Sequence, residues 1–218
     1  MFAKKCINRT LKDLRFESIA TGRRHLLQGV SMEGCKFDSV LLAKPFRGWH
    51  EFGDVHAVDC CFRNCLVKQA RLTRVTLHRC EAPAGGIVLW KCILDQVTFD
   101  GVYESLRILP PTDHEYGASN NDTFIVDIHT ATCVEIELLG IPPPLVRFDR
   151  ATAAVLSRDV LDRAGWPIQS VSDYLGGIMI KFRSYGGPAS VYAIPTGAKD
   201  APALIAELAV LRERGWLQ

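Results

Sequence analysis

Eight cysteines and six histidines have the widest chemical range in this 218-residue chain, so their spacing decides which chemistry is open to it. The cysteines are Cys6, Cys35, Cys60, Cys61, Cys65, Cys80, Cys92 and Cys133. A structural zinc site calls for close pairs such as CxxC, and a catalytic one for histidines at HxxxH or HExxH spacing. Neither occurs, and "CCFRNC" at 60–65 lacks ligand spacing. The expectation is therefore no metal and no cofactor. The opening "MFAKKCINRTLKDLRF" has no apolar signal region, so reduced thiols in the cytoplasm are expected rather than disulfides.

The histidines His25, His50, His56, His78, His114 and His129 follow no catalytic motif. "DVHAVD" at 54–59 sets His56 near Asp54 and Asp59, the ingredients of an acid–base group. "HTATC" at 129–133 sets His129 near Cys133, the ingredients of an activated thiol. Each also has a plainer explanation, an outward polar residue or a small buried one, and the plainer explanation is preferred. The glycines around "PTGAKD" do not form a GxxxxGK[ST] phosphate loop. No catalytic residue is assigned, and the chain is expected not to be an enzyme.

The elements that carry these residues have an unusual period. Small residues fall at Cys60, Cys65, Ala70, Val75 and Cys80, with larger ones two places on at Phe62, Val67, Leu72 and Leu77. Val30-x-Met32, Cys35-x-Phe37, Val40-x-Leu42 and Val55-x-Ala57 keep the phase, and Cys92-x-Leu94 and Val97-x-Phe99 keep the spacing. A helix repeats its face every 3.6 residues and a strand every 2.0. A period of five requires a chain that turns regularly and stacks on itself, a solenoid. "LRILPP" at 106–111 is expected to end the array. The ten residues "PFRGWHEFGD" at 45–54 are expected to be two degenerate repeats.

"CCFRN", "CLVKQ", "ARLTR", "VTLHR", "CKFDS" and "VTFDG" together resemble the pentapeptide-repeat family. Cys61, Leu66, Arg71 and Thr76 depart from its consensus, which places Asp or Asn before the central residue. The resemblance covers roughly residues 30–102. It implies a right-handed quadrilateral parallel β-helix with four repeats per coil, so that residues twenty apart stack. Val40, Cys60 and Cys80 would then form one inward column, Leu42, Phe62 and Ala82 another, and Cys35, Val55 and Val75 a third. The cysteines become small buried spacers, and Arg63, Lys68, Arg71, Arg74 and Arg79 become outward residues spread around the solenoid.

From "YGASNNDT" at 116–123 the character changes, so the chain divides into a β-helix over 1–111 and a small α+β domain over 112–218. In the second part, strands are expected at 123–129 and 132–141, with Val134, Ile136 and Leu138 on one face. A helix is expected over 149–167 with Asp149 as its cap. A hairpin is expected from "GIMIKFRS" and "ASVYAIP", and a closing helix after Asp200.

Residues 1–110 carry 17 Lys+Arg against 11 Asp+Glu, net +6, whereas residues 111–218 carry 9 against 13, net −4. Neither half is basic enough to point to nucleic acid, and no apolar stretch is long enough to span a membrane. Rigid solenoids present extended surfaces that bind other macromolecules. The leading expectation is a non-catalytic protein-binding module, specifically a bacterial immunity protein that neutralises a cognate toxin. Phe46, Trp49 and Phe52, in the irregular segment, are the candidate partner-binding anchors. Two alternatives stand beside it. The family resemblance implies a DNA-mimicking topoisomerase binder, which the net +6 of the repeat half disfavours. The other is an enzyme housed in the second half.

Overall fold

The computed structural model describes residues 5–109, 111, 124–138, 140–185 and 187–217. The expected boundary segment 116–123 and His114 lie outside them. The dominant element is a parallel β-solenoid of about six turns, wound from a 15-stranded sheet.

The period of five has a backbone cause. Asp54, Asp59, Asn64, Gln69, Arg74 and Arg79 have φ between 48° and 56°, a left-handed conformation that L-residues visit only singly. Each stands immediately before a buried small residue, from Val55 to Cys80. Strict strand alternation after Cys60 and Phe62 would bring Asn64 inward. The left-handed turn skips it, and Cys65 points inward instead. Each five residues thus contribute two inward side chains and one bend.

Stacking these bends aligns like residues. Val30, Val55, Val75, Val97, Val126 and Val146 occupy successive rungs of one column, all buried. Phe16, Phe37 and Phe62 stack in another, with ring centroids 4.8 and 4.9 Å apart. Full burial of a side chain of this size contributes about 1.5–3 kcal/mol, and each coil gains it only from its neighbours.

The rungs are 20 residues apart from Val55 to Val75 but 25 apart from Val30 to Val55. The columns expected from uniform twenty-residue stacking are therefore corrected in their first step. Val40 lies over Cys65 and Leu42 over Val67, as the neighbouring pairing of Leu41 with Leu66 fixes, while Cys35 lies over Cys60, the neighbour of the Lys36–Cys61 pair. The cause is the irregular segment. Between inward Leu42 and His50 the chain spends seven residues, where the corner stacked on it, Val67 to Ala70, spends two. The excess is one repeat length, not two degenerate repeats, and so the phase survives in the sequence.

The inward cysteines satisfy the corners. Cys35, Cys60, Cys65, Cys80 and Cys92 each donate S–H to the carbonyl two residues earlier, at 3.3–3.6 Å. Cys65, Cys80 and Cys92 also reach a carbonyl of the preceding coil. Valine would fill the same space without a donor. Burial pushes the thiols of Cys65, Cys92 and Cys133 up to about 12. Cys80 is raised by its hydrogen bond with Cys60 and by burial.

Parallel pairing does not end at 106–111. Ala131–Leu138 pairs with the strand Ile93–Leu109, and Val126–Asp127 bridges that strand to Val146–Arg147. Val126-x-Ile128, Ala131-x-Cys133 and Ile136-x-Leu138 keep the five-residue spacing, with every member buried except the half-buried Ala131. Val134 is consequently 39% exposed and does not share a face with Ile136 and Leu138.

Beyond Arg147 the described residues form three α-helices, α1 (Arg158–Ala164), α2 (Asp173–Tyr185) and α3 (Ala201–Glu213), and an antiparallel pair, Ala153–Ser157 with Ala189–Ala193. The helix expected over 149–167 is therefore a strand followed by a short helix. Pairing with Ala189–Ala193 overrides the apparent helical stripe, and Asp149 accepts from the Ala151 N–H in a turn rather than capping a helix. "GIMIKFRS" is not half of a hairpin. It belongs to α2, where Leu175, Met179 and Phe182 are buried at helical spacing. The helix after Asp200 is present. Asp200 contributes its backbone carbonyl, which accepts from Ala203 and Leu204, and not its side chain. These elements share an apolar cluster of their own, and Ser190 donates to Leu138 O at 2.8 Å where they meet the solenoid. Among the described residues no helix is long and apolar enough to cross a membrane.

Candidate functional site

The structure separates the three expected anchors. Phe52 is 9% exposed and points inward between Leu27 and Leu72. It supports the loop from inside and offers no surface. Trp49 is half-buried, with the Arg71 guanidinium 5.7 Å over its ring. Phe46 is 93% exposed.

The loop that carries Phe46 is tied down at its C-terminal end and bridged across its base. Arg24 Nε donates to Trp49 O at 3.1 Å, and Gln69 Nε2 donates to Gly48 O at 3.2 Å. His50 closes the base. Its Nδ1 accepts from the His25 N–H at 3.2 Å, so its proton sits on Nε2, which donates to Ala43 O at 2.9 Å. Burial holds the His50 imidazole below its ordinary range, which keeps this neutral tautomer at physiological pH. The rings of His25 and His50 stack at 5.5 Å in a column that continues through Ala70. Two histidines here replace the usual small spacers, and the sequence signal was their place in the five-residue phase.

The stacking register assembles a surface around this loop. Lys68 pairs with Trp90, which is 47% exposed, and Gln69 and Lys91 follow on the same corner, where Gln69 N–H donates to Trp90 O. Arg23, Lys44, Arg47, Lys68, Arg71 and Lys91 thus gather beside Phe46, Trp49 and Trp90. Arg24, nearby, is paired with Glu51 at 2.6 Å. Elsewhere several basic residues are paired with acidic neighbours. Arg74 pairs with Asp54 at 2.5 Å and Arg79 with Asp59 at 2.7 Å, each from the corner stacked on the other. These hydrogen bonds hold both carboxyls below their ordinary range. With Asp54 and Asp59 so engaged, the suggested acid–base group at His56 does not form.

His129 and Cys133 are also kept apart in role. Cys133 is buried inside the last coil, its thiol raised by burial, and does not line the cleft that His129 faces. His129 meets a carboxylate that sequence reasoning did not single out, Asp127, whose Oδ1 accepts from His129 Nδ1 at 2.5 Å and from its N–H at 3.1 Å. Comparison with protein-family models, with curated proteins and with solved structures finds no match to this chain.

Proposed function

We propose that the chain is a non-catalytic protein-binding module that grips an acidic partner surface with the corner around Phe46, Trp49 and Trp90. One observation carries this reading: Phe46 is 93% exposed on a loop tied at its C-terminal end and bridged across its base, beside Lys44, Arg47, Lys68 and Lys91, which make no ion pair among the described residues. A pre-ordered aromatic pays little entropy on binding, and such residues dominate interface energetics. Basic flanks add steering toward an acidic partner.

The specific form we favour is a bacterial immunity protein, acting in the cytoplasm, that neutralises a toxin domain by covering its active site. All eight cysteines are free thiols, which suits a reducing compartment. In fold terms we place the chain with the pentapeptide-repeat family, as a right-handed quadrilateral β-helix joined to a C-terminal α+β domain. Support comes from the left-handed residue at every fifth position and from the twenty-residue coil between Val55 and Val75.

The test is affinity capture from the host, comparing the native chain with Phe46→Ser/Trp49→Ala, followed by co-expression with the protein encoded beside it. The reading expects one acidic protein captured by the native chain alone, and growth rescued by the native chain alone. Equal capture and equal rescue by the double variant would sink it.

A further inference from the structure

A second site lies at the far end of the solenoid. Among the described residues Val146–Arg147 is the last rung of its column, pairing only with Val126–Asp127. Where another coil would begin, the chain turns at Asp149 and enters the antiparallel pair. This leaves a cleft of about 820 Å³ between the solenoid end and Val155 and Ala189.

Its chemistry is two-sided. Pro143, Val146 and Phe148 provide an apolar wall, while His129, Arg147 and Arg150 provide polar groups. Asp127, almost fully buried, organises them. Because its Oδ1 accepts the hydrogen bond that His129 Nδ1–H donates, the imidazole is held in one tautomer with Nε2 left as the free nitrogen. Arg147 stands on the next rung with Nη1 4.0 Å from Asp127 Oδ2, its guanidinium lying 4.1 Å over the Phe124 ring. Among the described residues this is its one ion-pair contact, and at that distance it engages few of the five guanidinium donors. Arg150 sits where Arg212 Nη2 clamps its carbonyl at 2.6 Å. Two guanidiniums and an oriented imidazole above an apolar wall suit a ligand with one anionic head and one apolar body.

We propose that this cleft binds a small organic anion, a phosphate monoester or a carboxylate, with Arg147 and Arg150 on the anionic head and the apolar body against Val146 and Phe148. The site is separate from the aromatic corner and does not depend on the function assigned to it.

The full chain is titrated by calorimetry and by NMR of its histidine rings with phenyl phosphate, benzoate, inorganic phosphate and benzyl alcohol. Saturable millimolar binding of phenyl phosphate or benzoate is expected, and the tighter of the two identifies the head group. Inorganic phosphate and benzyl alcohol should each bind about tenfold more weakly, since each lacks one half of the recognition. Arg147→Ala should weaken the organic anion by roughly tenfold or more, a charge-assisted contact's worth. Arg150→Ala, at an exposed side chain, should weaken it several-fold. The proposal is overturned if neither organic anion saturates, if inorganic phosphate binds as well as phenyl phosphate, or if Arg150→Ala and Arg147→Ala both leave the affinity unchanged in folded protein.

Discussion

The seven residues between Leu42 and His50 can be cut back to the two that the neighbouring corner uses. Deleting 44–48 and replacing Trp49 with glycine leaves Ala43 and one glycine between the inward residues. The glycine falls at the position equivalent to Gln69, whose φ is +56°, where glycine carries no steric penalty. Shortening a closed loop from seven residues to two recovers about 1 kcal/mol of closure entropy. Against this stands the lost contact of Arg71 with Trp49, worth about 0.5–1 kcal/mol at an exposed site. The hydrogen bonds from Arg24 and Gln69 to the loop are also lost, at about 0.5–1.5 kcal/mol each. The net change is a destabilisation of about 0.5–3 kcal/mol, with nearly the same surface exposed on unfolding. Urea denaturation followed by circular dichroism should therefore show one cooperative transition with an unchanged slope. Partner capture should vanish in the same protein. A loss above about 5 kcal/mol, or a broadened transition, would refute the view that the segment is an added repeat length on an intact coil.

Three further outcomes follow from the packing. Because the Cys65, Cys92 and Cys133 thiols are raised by burial to about 12 from an ordinary 9, their contribution is fully present below pH 9 and is lost as pH rises toward 12. Denaturation at pH 8, 9 and 10 should show stability falling by about 1.4 kcal/mol per pH unit per thiol above 9, and valine at these three positions should flatten that fall. Phe37→Ala, between two stacked rings, should cost about 3–5 kcal/mol and Phe16→Ala, at the end of the stack and half-buried, clearly less; equal costs would argue against a continuous aromatic column. At Gly101 (φ +133°) an added Cβ would lie 2.0 Å from Cys80 O, so Gly101→Ala should destabilise by about 2–4 kcal/mol in thermal melts, whereas Gly177→Ala in α2, with nothing within 4 Å, should stabilise by about 0.5–1 kcal/mol.

The solenoid was legible because its period is written in side-chain size. Where it was misread, the cause was a count. One repeat length inserted at 43–49 preserved the phase in sequence while displacing every earlier residue by one corner in space. The array's true extent was also readable in principle, since Val126, Ala131 and Ile136 keep the five-residue spacing. They passed for ordinary strand alternation because Val134 looked like a member of the buried face. In α2 the run "GIMIKFRS" suggested a strand. Only tertiary packing reveals that Leu175, Met179 and Phe182 share one buried stripe. The Asp127–His129–Arg147 cluster lay beyond sequence reasoning, because Arg147 reaches Asp127 through rung stacking across twenty residues.

The thiols that finish the corners are distributed along the axis: Cys6 in the first coil, Cys35 in the second, Cys60 and Cys65 in the third, Cys80 in the fourth, Cys92 in the fifth and Cys133 in the last. A stacked array opens coil by coil from its weakest end, and each of these sulfurs is shielded only while its own coil is closed. The chain therefore carries an internal ruler of its own unravelling. A brief alkylating pulse at rising denaturant, read by peptide mass, would register the order in which the coils come apart.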